Sequence, residues 1–176
     1  MKKEVRILPT LLELATDEQI REEYQKSFML NLFRKICVKM RNDSTYKAKI
    51  QNLFRESFNK NMTVQIIVKR EFDYDLTNEE AAIMYKWFEA HLKKSNRRKA
   101  IPLSVKMELY KRQNGKCAVC GEDLGKDNSK IHVDHIIPWT LVGDELEDNY
   151  QDLCDTCNEC KSASTDYIFK NLIKLI

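Results

Sequence analysis

Apolar residues recur at helical spacing through much of the first ninety positions, the pattern of helices with one buried face. Thr16 with Gln19 matches a capping box, and Ile20, Tyr24, Phe28, Leu32, Ile36 and Met40 follow it on one stripe. A second helix is predicted from about Asn42 to Asn59, burying Tyr46, Ile50, Leu53, Phe54 and Phe58. Met62 to Phe72 is rich in β-branched residues and predicts a short strand. Thr77 with Glu80 caps a further helix that carries Ile83, Met84, Trp87, Phe88 and, at its edge, His91. Such stripes read as core rather than binding surface, and no chemistry is assigned to them. His91 has no partner at ligand spacing and reads as a packed or surface histidine.

The pattern changes near residue 95. Ser95 to Pro102 is polar and basic and ends in a proline that disfavours helix before it, which marks a boundary. Ser104 then caps a short helix to about Gln113, closed by Asn114-Gly115. All four glycines (115, 121, 125 and 143) fall in the second half, so the first 114 residues need few tight turns. Lys130 to Pro138 alternates like a strand that the proline stops.

At 176 residues the chain holds one ordinary domain or two small ones. It has no run of about 18 apolar residues, so no membrane span is expected. The start is basic, but Pro9, Thr10 and Glu13 interrupt it before an apolar leader forms. A cytoplasmic setting is expected. Cysteines 37, 117, 120, 154, 157 and 160 are therefore read against a reducing compartment, where C-x-x-C pairs indicate a metal rather than disulfides.

Cys117-x-x-Cys120 and Cys154-x-x-Cys157 form two knuckles suited to a tetrahedral zinc with four thiolates. Such a site leaves no open position for water, so its role is structural. Cys157 and Cys160 have the same spacing, and counting alone leaves a quartet of 117, 120, 157 and 160 open.

Charge is segregated. Residues 93–116 carry nine bases (Lys93, Lys94, Arg97, Arg98, Lys99, Lys106, Lys111, Arg112 and Lys116) against one acid, Glu108, whereas residues 117–176 carry five bases against twelve acids. A basic run alone is as readily a solvated linker as a binding surface. Which of the two it is depends on the chemistry of the neighbouring segment.

The order Cys117-x-x-Cys120, Asp134-His135-Ile136-Ile137-Pro138, Asp148-Asn149 and Cys154-x-x-Cys157-Asn158-x-x-Lys161 resembles the four-cysteine branch of the HNH endonucleases. The resemblance covers about residues 97 to 162, with the lead-in Gln113-Asn114-Gly115-Lys116, and does not reach the first ninety or so. It implies a ββα-metal unit, which with the mostly helical N-terminal region read from the apolar pattern makes an α+β chain overall. The expected divisions are 1–94, helical and without an assigned role; 95–116, a basic linker and lead-in helix; and 117–176, the nuclease core with a C-terminal helix.

By this resemblance His135 is the general base, and Asp134 and Asn158 hold one catalytic Mg²⁺ or Mn²⁺. Asn149 ties the loop between the strands and keeps His135 oriented. Asn158 stands where many relatives carry the last histidine of the family name. Because it directly follows Cys157, the zinc quartet 117, 120, 154 and 157 is favoured and Cys160 is spare. The product is expected to carry a 5′-phosphate and a 3′-hydroxyl.

The chemistry is coherent on its own terms. Phosphodiester hydrolysis needs an activated water and positive charge for the phosphate and the departing 3′-oxygen. Imidazole accepts protons near neutrality, and oxygen ligands suit a hard cation. Adjacent strand residues face opposite ways, so using both Asp134 and His135 at one site would require a local bend.

The DNA contacts expected are Arg97, Arg98, Lys99, Lys116, His132 and Lys161. His132 could instead be an ordinary surface residue, and Lys161 could cap its helix. Trp139 reads as packing before base stacking. DNA is the expected partner; the N-terminal helices could serve target recognition, a homodimer contact or a protein partner. A restriction, phage, mobile-element or defence setting would each fit. The alternative is a non-catalytic zinc module that binds DNA or a protein, which would have no reason to combine Asp134, His135 and Asn158.

Overall fold

Local capping explains where most of the N-terminal helices begin. The computed structural model describes residues 18–125 and 131–162. They form α1 (Glu18–Asn42), α2 (Ser44–Glu56), α3 (Lys60–Phe72), α4 (Asn78–Lys93), α5 (Leu103–Arg112), β1 (His132–His135), α6 (Trp139–Val142), β2 (Tyr150–Leu153) and α7 (Asp155–Lys161). Asp43 accepts from the Tyr46 N–H at 2.9 Å to start α2, and Asn59 accepts from the Met62 N–H at 3.0 Å to start α3. Thr77 and Glu80 close a reciprocal capping box on α4. The architecture is α+β, a helical region followed by a small antiparallel sheet and its helix.

The strand expected over Met62 to Phe72 is a helix. Val64, Ile67 and Val68 are each 0% exposed, and their spacing puts them on one helical face. Burying each is worth about 1.5–3 kcal/mol, against a helix-propensity penalty of at most about 0.7 kcal/mol for a β-branched residue. Asp73 then closes α3 in the left-handed region at φ 54°. Phe58, expected in the core, lies beyond the end of α2 and is exposed, as is Ile83 on the outer side of α4. Ser104 sits inside α5, whose cap position is Pro102 with no side-chain cap. Thr16 and the stretch beyond Ser162 lie outside the described residues.

Tyr24, Leu32, Ile36 and Met40 of α1 are buried, and Phe33 packs against Trp87 and Phe88 of α4. This core does not stop at residue 95. Ile137, Leu141 and Val142, on and before α6, belong to the same buried cluster. Gly143, at φ +64°, permits the contact: a Cβ there would lie 2.7 Å from that of Lys94. His91, at the end of α4, donates from Nδ1 to the Leu141 carbonyl at 2.5 Å.

Burial, reinforced by Lys94, Lys47 and Arg41 and only partly offset by the Leu141 carbonyl, pushes the His91 pKa down to about 4. The unfolded chain, with a histidine near pH 6.5, takes up a proton that the folded chain refuses. This contribution is therefore full above pH 6.5 and is lost as pH falls toward 4. Between about pH 7 and pH 5 it should cost on the order of 1–2 kcal/mol of stability. Urea unfolding of His91→Gln should show a correspondingly smaller acid loss than the parent; equal losses would assign the effect elsewhere.

Cys117, Leu124 and Leu153 form a second, much smaller buried cluster, with Tyr110, Val119, Ile131, Cys154 and Cys157 around it. So few apolar groups cannot hold this segment together without further help. No helix among the described residues is long and apolar enough to cross a membrane.

Candidate active site

The two strands pair antiparallel, His132 with Leu153, Val133 with Asp152, Asp134 with Gln151 and His135 with Tyr150. Side chains alternate across such a ladder, so His132 and Asp134 share one face and Val133 and His135 the other. Helix α7 packs on the first face. There Lys161 Nζ lies 2.6 Å from Asp134 Oδ2, and Asp155 of the first turn pairs with His132.

Beneath α7, the sulfurs of Cys117, Cys120, Cys154 and Cys157 all lie within 4.8 Å of one another. Cys120 Sγ and Cys154 Sγ are 3.8 Å apart, and a zinc tetrahedron with bonds of about 2.3 Å has edges of about 3.8 Å. The donor set therefore fits a structural zinc. Cys160 is exposed and outside the cluster, so 117, 120, 154 and 157 are the cysteines whose sulfurs lie together. Burial and then the neighbouring sulfurs push the Cys157 thiol up. Cys117 is buried as well, but backbone N–H groups of Cys120, Cys154 and Val119 bring it down to about 7. A shared cation would allow all four to be thiolates.

Asp134 and Asn158 line one cleft of roughly 420 Å³, walled also by Arg98, Trp139, Glu159 and Ser162. Arg98 stacks over the Trp139 ring, its guanidinium carbon 5.4 Å from the ring centre. Asp134 Oδ2 has its ion pair with Lys161 but no aligned hydrogen bond, which leaves it lone pairs for another cation. One carboxylate and one amide oxygen, with room for water and phosphate, suit Mg²⁺ or Mn²⁺.

His135 occupies the opposite face. The ladder runs regularly through it, without the local bend expected for bringing it beside Asp134, and it does not line the cleft; its residue is 6% exposed, and its ring lies 4.8 Å from that of Tyr150. Its Nε2 is 3.0 Å from Asp144 Oδ1. Burial lowers the His135 pKa, with Asp144 opposing and Arg98 assisting the shift, so the ring is neutral at neutral pH and can accept a proton. The two halves adjoin at Trp139, which lines the cleft and donates from its indole to Asp144 Oδ2 at 2.9 Å.

Asn149, 3% exposed, clamps the loop between the strands. Its Oδ1 accepts from the Ile137 N–H at 2.8 Å, its Nδ2 donates to the Ile137 carbonyl at 3.0 Å, and its own carbonyl accepts from Ile136. Two residues expected at DNA are placed differently. Lys161, 1% exposed, points inward and donates to the His135 carbonyl at 2.6 Å, because a buried ammonium must be paired. His132 is held by Asp155. Arg97, Arg98, Lys99 and Lys116 are exposed, although Lys99 Nζ pairs with Glu145 at 2.8 Å.

Asp144 is the residue that sequence reading missed. An aspartate in an acidic loop carries no motif signal, and its partners come from Lys99, His135, Trp139 and Tyr150.

No curated protein and no solved structure matches the chain. A family model described as HNH endonuclease matches residues 117–173, less than half of the chain. That family supports a nuclease, a hydrolase in general terms, with DNA as the substrate it implies. The segment that holds the four-cysteine cluster and the Asp134–His135 pair is thus the part of the chain that is similar to the HNH endonucleases, and its cysteines are consistent with the zinc-containing branch of that family.

Proposed function

We propose that this chain is a metal-dependent DNA endonuclease that hydrolyses phosphodiester bonds and leaves a 5′-phosphate and a 3′-hydroxyl. The observation that carries the reading is that Asp134 and Asn158 share one cleft with Arg98 and Trp139. A Mg²⁺ or Mn²⁺ held by Asp134 and Asn158 would supply positive charge for the phosphate and the departing 3′-oxygen. Arg98 offers a fixed cation at the cleft wall, aligned by its stacking on Trp139. His135, neutral through burial, takes the proton of the attacking water. Asn149 keeps the strand end that bears His135 in place through Ile136 and Ile137. Lys161 neutralises Asp134 and holds the His135 carbonyl, so it acts from within the fold. The four cysteines hold zinc and thereby fix α7, with Asn158, against the strands.

Asp134→Ala and Asn158→Ala test the metal assignment. Both should raise the Mg²⁺ or Mn²⁺ concentration needed for half-maximal plasmid cleavage, with zinc content unchanged. An unaltered metal requirement in both would remove these residues from the ion's coordination.

The basic strap before α5 should supply phosphate contacts. Each phosphate neutralised contributes about 0.9 to the logarithmic salt slope of binding. Replacing Arg97, Arg98 and Lys99 together by alanine should therefore flatten the slope by about two. Lys99 adds little because Glu145 already pairs with it. Unchanged affinity and slope in a filter-binding series would make the strap a solvated linker.

A further inference from the structure

Four donors converge on the carboxylate of Asp144. Lys99 N–H and Trp139 Nε1 donate to Oδ2, each at 2.9 Å, while His135 Nε2 and Tyr150 OH approach Oδ1 at 3.0 and 3.3 Å. The Asp144 side chain is 3% exposed and that of His135 7%. A carboxylate so buried stays ionised only because donors replace its water. Three of them, from the strap, α6 and β2, fix its orientation independently of the histidine. An ionised carboxylate can only accept, so the ring nitrogen facing it must carry the hydrogen. Nδ1 is then the nitrogen with the lone pair.

We infer that Asp144 is a positioning residue for the hydrolysis, holding His135 as the Nε2–H tautomer so that Nδ1 takes the proton of the attacking water. The inference rests on the nuclease reading above. Nδ1 accepts one proton from water, and the water oxygen forms its bond to phosphorus. The bond from phosphorus to the 3′-oxygen breaks, its electron pair leaves on that oxygen, and solvent protonates it. The imidazolium formed keeps its Nε2–H on Asp144, whose negative charge stabilises it. Asp144 also takes the Lys99 N–H and the Trp139 indole, so the same carboxylate sets the strap that carries Arg98 and the ring on which Arg98 stacks.

The tautomer can be read directly. Long-range ¹⁵N–¹H correlation of the zinc-loaded full chain should show His135 as Nε2–H, with His91, whose Nδ1 faces a carbonyl, as the opposite form. Asp144→Asn keeps the shape but must turn an N–H₂ toward either the histidine or the two Oδ2 donors. It should lose the Nε2–H population and lower kcat by ~10²–10⁴-fold with little change in KM for DNA and zinc retained. If His135 in the unmodified, active protein is the Nδ1–H tautomer, the inference is wrong and the nuclease reading stands. An Asp144→Asn protein that keeps both the tautomer and the rate would overturn the inference in the same way. Should Asp144→Asn fail to fold, the measurement on the unmodified protein decides. A His135→Ala protein that cuts at the parental rate would overturn both.

Discussion

Cys117→Ser or Cys154→Ser should release the zinc and unfold the segment from Cys117 to Lys161, the largest loss of structure expected from any single substitution in this chain. Apart from Ile137, Leu141 and Val142, which belong to the larger core, the buried apolar groups there are Cys117, Leu124 and Leu153, in a unit with two strands of four residues each and a helix of seven. Such a unit cannot offset the conformational entropy of ordering its backbone, about 1–2 kcal/mol per residue. Zinc binding by four thiolates, worth about 10–16 kcal/mol in comparable small units, closes that gap. The damage should largely spare α1 to α4, because most of the core that packs them, apart from Ile137, Leu141 and Val142, lies outside this segment. Elemental analysis would follow the metal, and circular dichroism would follow the helices that remain. Cys160→Ser should keep zinc and fold, since its sulfur lies outside the cluster. Loss of zinc in Cys160→Ser with retention in Cys154→Ser would reverse the ligand assignment.

The second large effect is kinetic. His135→Ala removes the proton acceptor and leaves Asp134 and Asn158 in their cleft, so the folded protein should still bind divalent metal and DNA. Its cleavage rate should fall by at least the ~10²–10⁴-fold typical of a general base. Extra Mg²⁺ or Mn²⁺ should recover part of the activity of Asp134→Ala but none of that of His135→Ala. A small diffusible imidazole should partly restore His135→Ala and leave Asp134→Ala unchanged. Rescue thus separates base from ligand even where both variants are nearly inactive. Rescue of His135→Ala by metal alone would move His135 into the metal's coordination.

The sequence made the four-cysteine cluster legible because tetrahedral coordination demands closely spaced cysteine pairs. Its one ambiguity, Cys154 or Cys160, was a matter of helical phase that only three-dimensional placement resolves. The strand around Asp134 and His135 was equally legible from alternation and Pro138. Alternation also said that the two side chains oppose each other, and they do. Three features were hidden. Val64, Ile67 and Val68 fit a strand by propensity and a helix by burial, and burial decided. Lys161 shares a helix with Asn158, yet spacing could not tell that its ammonium turns inward to Asp134. His91 and Leu141 lie 50 residues apart, so nothing local announced that α4 would dock onto α6.

One comparison bears on the central claim more directly than any other. Supercoiled plasmid is incubated with the zinc-loaded full chain and with zinc-loaded His135→Ala, each with Mg²⁺ or Mn²⁺ and each with a chelator that spares the cysteine-bound zinc. The account predicts cleavage by the unmodified chain in Mg²⁺ or Mn²⁺, none with the chelator, and a rate lower by ~10²-fold or more for His135→Ala. Cleavage by His135→Ala at the parental rate, or no cleavage by the unmodified chain under any of these conditions, would contradict it.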